Sequence, residues 1–322
     1  MVTDKKGHLK GVIALSEDKE ITIETKAVII TTGGFAGNEE LIKTYIPSYN
    51  KEEIRLDGLP HQESGFLMAS EIGAAQEDAI TLEIIGPAYF GPASIASFTR
   101  RPNMLWINKK GERFADESTI FHIHSKSVNA LFQQPSKMAY ALFDESIKQS
   151  IIQESPGPFE YFALHGKAWL ANIETDLKSQ LDKDTVKIAG SWDEIAQWIS
   201  VAPEILNNTV ETYNLYCKCG YDEVFAKERQ KYLIPLRTLP YYALKDGIAM
   251  VATHGGIKVT MIWKFLIKMI ILSPGLYAAG VDTGGTDADT YNFALTDHSF
   301  GFAINGGRIA GENAANYAIN KN

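Results

Sequence analysis

The chain has 322 residues, enough for one large domain or two ordinary ones with real cores. Hydrophobic residues make up 45% and charged residues 22%, an ordinary mix for a soluble globular protein. The net charge of −8 argues against a nucleic-acid partner, which requires a basic stripe. Cys217 and Cys219 stand two residues apart in "YCKCGYD" and cannot staple a fold, so a reducing, cytoplasmic compartment fits. No second ligand pair follows them at zinc spacing, and no metal site is expected. The opening "MVTDKKGHLKG" carries no apolar core of a signal peptide. One apolar run, "MIWKFLIKMIIL" (Met261–Leu272), is too short to span a bilayer and holds Lys264 and Lys268.

In chain order, "HLKGVIAL" and "KEITIET" read as strands around a Ser16-Glu17-Asp18 turn. They lead into a buried strand over 27–32 that breaks into Thr-Thr-Gly-Gly, where the backbone can approach something closely. Asn38 caps a short helix containing Leu41, Ile42 and Tyr45, and 63–74 is a second helix ending at Gly73. "NMLWINKKGERFADES" has the pattern of a hairpin, and "MAYALFDES" that of a buried strand. Ser191 with Glu194 makes a capping box, and Pro203 opens a helix with Leu206, Val210, Tyr213 and Cys217 on one face. The last part returns to glycine-rich texture: "HGGIKVT", "PGLYAAGVDTGG", and a helix over 299–318. Ala303, Gly307 and Gly311 recur there every fourth residue, a face that lets the helix lie close to a sheet or a flat ligand.

These pieces, in this order, resemble the flavoprotein subunits of fumarate reductase and succinate dehydrogenase in their soluble flavocytochrome-like branch. The residues that carry the resemblance are "TTGGFAGNEE", "SGFLMASEIGA", "LWINKKGERFADE", "TVETYNLYCKCGYD", "LPYYAL", "THGGI", "PGLYAAGVDTGG" and "GGRIAGENAA", which cover nearly the whole chain. The resemblance implies an α/β fold with an α+β cap: an incomplete FAD-binding Rossmann-like domain over 1–84 and 252–322, with a capping, substrate domain inserted over 85–251. It begins partway into the family's fold. The first βαβ unit, with its GxGxxG turn for the FAD pyrophosphate, is absent from these residues, and a separately encoded N-terminal FAD-binding half becomes an expected partner.

For the FAD cofactor, the resemblance points to Thr32, Gly33 and Gly34 beside the dinucleotide. It places Thr253, Gly255 and Gly256 beside the isoalloxazine ring. Gly280, Thr283, Gly284 and Gly285 fall near the ribityl chain, and Asp297, His298, Ser299 and Phe300 at the helix start that faces the flavin. A helix start suits that place because its unpaired amides stabilise the negative charge of a reduced flavin. Where the family usually carries glutamate after "AAG", this chain has Val281, with Asp282 as a partial replacement.

The substrate side departs further. The family's dicarboxylate clamp of histidines and arginines falls on Ile85, Ala252, Phe121 and Tyr291, none of which can bind a carboxylate by charge. Arg113 reads as structural. The resemblance therefore implies flavin-dependent reduction or desaturation of a carbon–carbon bond in a small molecule other than fumarate. Tyr291 and His298 are the catalytic candidates, the tyrosine as an acid if its environment lowers its pKa, the histidine because it exchanges protons near neutrality. His122 and His124 alternate on a segment read as extended, and His254 reads as serving the geometry of its glycine turn.

Met261–Leu272 replaces a polar hairpin of the family. With codons ATA TGG AAG TTC TTG ATA AAG ATG ATA AT over 262–271, reading from the third base gives Met-Glu-Val-Leu-Asp-Lys-Asp-Asp-Asn, which resembles that hairpin. A reading-frame slip accounts for the segment; the alternative is an apolar loop that docks against a partner. Either way, exposed apolar side chains and disturbed strand pairing are expected there. Three functional readings stand: a flavin oxidoreductase, an inactive fragment or pseudogene product unable to bind FAD alone, and a subunit that completes a split flavoprotein.

Overall fold

The computed structural model describes residues 1–5, 8–56, 64–99, 101–121, 123–153, 170–227, 231–267, 271–285, 287, 291 and 298–320. Two compact units divide the chain: 1–50 with 56–84 and 250–322, and 51–55 with 85–249. Among the described residues no helix is long and apolar enough to cross a membrane.

The first unit opens with an antiparallel ribbon of Val2–Thr3, Leu9–Ser16 and Lys19–Glu24. Its turn places Glu17 and Asp18 at φ of 48° and 62°, the left-handed pair whose twist matches a tight hairpin. The strand expected over 27–32 forms as Val28–Ile30 and pairs in parallel with Ile271–Ala278, Leu276 opposite Val28. This pairing ties the two ends of the sequence into one sheet. Asn38 caps the helix Glu39–Tyr45, its side-chain oxygen accepting the Leu41 N–H at 3.0 Å. Phe35, Tyr45 and Phe66 pack as an aromatic trio beneath the glycine turn.

The C-terminal helix His298–Asn320 lays a second small-residue face on the sheet. Gly306, Ala310 and Ala314 are its buried positions, and Ala310 and Ala314 pack with Tyr277 and Ala279 of the sheet. Among the described residues nothing lies within 4 Å of where a side chain would begin at Gly307 and Gly311. Both sets repeat every fourth residue, so sequence spacing could not choose between them. Trp263 decides the matter: its ring lies on Gly306, where an added Cβ would come 2.5 Å from it.

Around that tryptophan, the anomalous segment is irregular. Met261 is 96% exposed and Ile262 45%, and Trp263 sits at φ 58°. Lys264–Ile267 does pair antiparallel with Ile271–Ala278, but the register shifts between Lys264 and Leu266. Residues 268–270 lie outside the described residues.

In the second unit, Ala139–Asp144 is buried at every position and pairs antiparallel with Leu105–Asn108 on one side and with Tyr241–His254 on the other. Val186–Ala189 joins the far edge of that long strand. The hairpin read at 103–118 turns where Asn108 Oδ1 accepts the N–H groups of Lys110 and Glu112. Its return arm is reduced to one bridge, Ile107 opposite Arg113. The helix Trp192–Ile199 starts at Ser191, whose hydroxyl accepts the Glu194 N–H, and Pro203–Cys219 starts at its proline. The extended segment expected around His122 and His124 is instead a short turn, Glu117–Phe121, followed by a helix from His124; His122 lies outside the described residues.

Arg113 is structural. Its guanidinium pairs with Glu117 and Asp222, both at 2.7 Å, and Lys227 adds a second cation 3.1 Å from Glu117. Glu117 also accepts the Trp106 N–H, and the Lys227 ammonium reaches the Met104 carbonyl and the Tyr213 hydroxyl. The whole group is buried, so each charge depends on its partners for solvation. Replacing Glu117 by alanine takes the carboxylate from Lys227 and one of the two from Arg113, and a loss of about 3–5 kcal/mol is expected in urea unfolding monitored by tryptophan fluorescence.

Candidate active site

Three glycine-rich segments of the first unit converge on one buried carboxylate. Asp282 ends the short turn Gly280–Asp282 that follows the strand Ile271–Ala278. Its two oxygens accept the N–H groups of Gly33 and Gly34, each at 3.0 Å, and the Thr32 hydroxyl at 3.0 Å. Its carbonyl accepts the Ile257 N–H, just beyond the second glycine turn. Thr253 completes the join by accepting the Phe35 N–H on its hydroxyl at 3.0 Å. A Cβ on Gly34 would fall 2.5 Å from that hydroxyl, and Gly34 adopts φ +75°. Thr283 closes its own loop, its N–H and hydroxyl both bonding the Gly280 carbonyl. The structure therefore brings Thr32, Gly33, Gly34, Thr253, Gly255, Gly256, Gly280, Thr283 and Gly284 into one neighbourhood. Asp282, read as a replacement for a ribityl-binding carboxylate, is turned inward instead.

Beside this junction runs a second polar network. His254 is buried in its glycine turn, with Nε2 2.8 Å from Glu83 Oε2 and Nδ1 3.3 Å from Asp287 Oδ2. The other Glu83 oxygen accepts from the Tyr291 hydroxyl at 3.2 Å, and that hydroxyl lies 3.0 Å from Ser299 Oγ. The rings of His254 and Tyr291 meet edge to face at 5.3 Å. The result is one chain of groups, Asp287–His254–Glu83–Tyr291–Ser299, ending on the first turn of the C-terminal helix. Among the described residues no group has the make-up of a metal site.

Electrostatics fix the protonation states. Burial opposes an imidazolium, but the hydrogen bonds and charges of Asp287 and Glu83 outweigh it and raise His254 to about 9. Tyr291 is moved the other way from the expected one. Burial raises its phenol above the ordinary value, the Ser299 hydrogen bond opposes this only partly, and the Glu83 charge adds to it. At neutral pH the site holds a protonated histidine and a neutral phenol.

Sequence reading singled out Tyr291 and Ser299 here but not Glu83 or Asp287, and it gave His254 only a backbone role. The available signals were a lone acid inside the apolar run "TLEII" and a histidine placed between threonine and two glycines. Asp297 lies outside the described residues.

Residues 1–292 match the family model described as FAD binding domain. The chain belongs to this FAD-binding domain family. It is 27% identical over 97% of its length to vinyl phenol reductase of Lactiplantibacillus plantarum, and 29% identical over 93% to a probable fumarate reductase of Shewanella frigidimarina. It spans 65% and 46% of the length of those two relatives. Among solved structures, 3-ketosteroid delta1-dehydrogenase from Sterolibacterium denitrificans superposes with a TM-score of 0.73 at 21% identity, covering 98% of this chain and 57% of that one. That likeness is one of fold.

The residues present fit part of the cofactor that this family binds. His298 Nε2, at the first residue of the C-terminal helix, is buried with no hydrogen-bond partner among the described residues. Among the described residues nothing lies within 4 Å of where a side chain would begin at Gly285 and Gly301, and the first amides of a helix have no partners within it. The Thr32-Gly33-Gly34 turn does not offer donors in the same way, because Asp282 already holds its amides.

The raised His254 value carries a stability consequence. Folded His254 holds its proton more tightly than an unfolded histidine, so its contribution is complete below pH 6.5 and is lost as pH rises through about 9. The shift corresponds to about 3 kcal/mol. The melting temperature of the wild-type chain is expected to fall across that window, and His254→Gln to flatten the dependence.

Proposed function

We propose that this chain forms part of a FAD-dependent oxidoreductase that reduces a carbon–carbon double bond in an uncharged small molecule. The observation that carries this reading is the neutral Tyr291 phenol, held by Glu83 and by Ser299 in the first turn of the helix that His298 begins. Reduction of an alkene needs a proton donor, whereas desaturation needs a base. A phenol whose pKa is pushed up stays protonated at neutral pH and is a poor resident base; the same shift weakens it as an acid, so donation relies on the greater basicity of the developing carbanion. The vinyl phenol reductase among the relatives bears a name that fits an alkene without a carboxylate.

In this reading the first unit, with 1–84 and 252–322, holds the cofactor, and 85–251 forms the cap. Bound FAD supplies the two electrons of the reduction. His298, the first amides of its helix, Ser299, Phe300 and the loop 280–285 bind the flavin end, while Thr32, Gly33, Gly34, Thr253, Gly255 and Gly256 shape the wall through Asp282. Tyr291 gives the proton. Ile85, Phe121 and Ala252 offer no charge to a dicarboxylate. The family's pyrophosphate-binding GxGxxG turn is not among these 322 residues.

The chain alone is expected to emerge colourless from desalting with FAD. Joined to a family N-terminal half, it should hold flavin, and its photoreduced flavin should be reoxidised anaerobically by 4-vinylphenol. Fumarate should act orders of magnitude more slowly, since each lost charge-assisted bond is worth about 1.5–3 kcal/mol. Rapid reoxidation by fumarate, or none by any alkene, would contradict the reading.

A further inference from the structure

Reduction consumes the Tyr291 proton at every turnover, and the phenol is buried, so something must return it. The groups behind it are arranged to do so. Glu83 bridges the two rings, one oxygen on Tyr291 Oη and the other on His254 Nε2, and Asp287 holds the far nitrogen of the imidazole. His254 and Asp287 have side chains only 3% and 2% exposed, while Glu83 keeps 23%. The one member of the relay open to solvent is therefore its central carboxylate. Glu83 comes from the strand Thr81–Ala88, His254 from the end of Tyr241–His254, and Asp287 and Tyr291 from the segment before the C-terminal helix. These are the charged and titratable groups that face the imidazole among the described residues.

We propose that Glu83, His254 and Asp287 form a proton store that reloads Tyr291, an inference that rests on the reductive reading above. When the phenol O–H bond breaks and the proton passes to the substrate carbon, a phenolate is left 3.2 Å from Glu83. The imidazolium N–H gives its proton to the near Glu83 oxygen. The carboxyl group turns and delivers a proton from the other side to the phenolate. The products are neutral imidazole, carboxylate and phenol, and solvent recharges the histidine through the exposed part of Glu83. Asp287 acts as a positioning residue: it fixes which nitrogen faces Glu83 and stabilises the imidazolium. No electrons move in these steps.

The test begins with histidine- and tyrosine-labelled full chain followed by NMR against pH. His254 should hold its proton past neutrality and release it near 9, and the Tyr291 ring signal should move over the same span. Glu83→Gln should lower the proton affinity of His254 at least tenfold, about one pH unit. Asp287→Asn should lower it as well, and serves if Glu83→Gln fails to fold. A histidine titrating at its ordinary value, or a Tyr291 signal indifferent to it, overturns the store. In the flavin-loaded complex, the alkaline limb of the alkene-reduction rate should track His254 and move down in Asp287→Asn, while Glu83→Gln, which cannot pass the proton, should slow reduction across the pH range with KM unchanged. A limb that stays in place overturns the store too. A wild-type complex that reduces no alkene refutes the reductive reading instead, and the NMR arms still judge the coupling of the three groups to Tyr291.

Discussion

One buried carboxylate organises the first unit. Asp282 neutralises the N–H groups of Gly33 and Gly34 and anchors, through its own carbonyl, the segment after the second glycine turn. A charged acceptor holding two backbone donors and a hydroxyl is worth more than neutral pairs, because none of these groups has water to turn to. Three stretches far apart in sequence are thereby fixed to one point. Their fixed geometry sets where Thr253 lies, and with it the adjacent His254.

From that position the chemistry follows by short steps. A histidine placed between two carboxylates keeps its proton, and a phenol next to one of those carboxylates keeps its own. In the proposed reading, the family's dicarboxylate clamp falls on Ile85, Ala252, Phe121 and Tyr291, which carry no charge to offer a dicarboxylate, and a neutral alkene is the better fit.

Much of this was legible in the sequence, for reasons that can be named. Asn38, Ser191 and Pro203 mark helix starts because capping chemistry is local. The glycine turns announce themselves because few other residues take their backbone angles. The placement of Tyr291 and Ser299 came from the family's pattern. What stayed hidden depends on long-range pairing. Nothing local distinguishes the buried face at Gly306 from the open one at Gly307, since both repeat every fourth residue and Trp263 alone decides. Asp282 looked outward by analogy, but the amides of Gly33 and Gly34 are the nearer donors. Glu83 and Asp287 are single acids in unremarkable strings, and the meaning of Glu83 appears only when Thr81–Ala88 pairs with Tyr241–His254 and sets it against His254.

The central claim is that Tyr291 delivers the proton of an alkene reduction. Turnover of the flavin-loaded complex in deuterated water, with the product examined by mass spectrometry and NMR, tests it most directly. Solvent deuterium should appear at the protonated carbon of the former double bond, and Tyr291→Phe should slow that step by about 10²–10⁴-fold while flavin binding persists. A Tyr291→Phe complex that deuterates the same carbon at the wild-type rate would contradict the account.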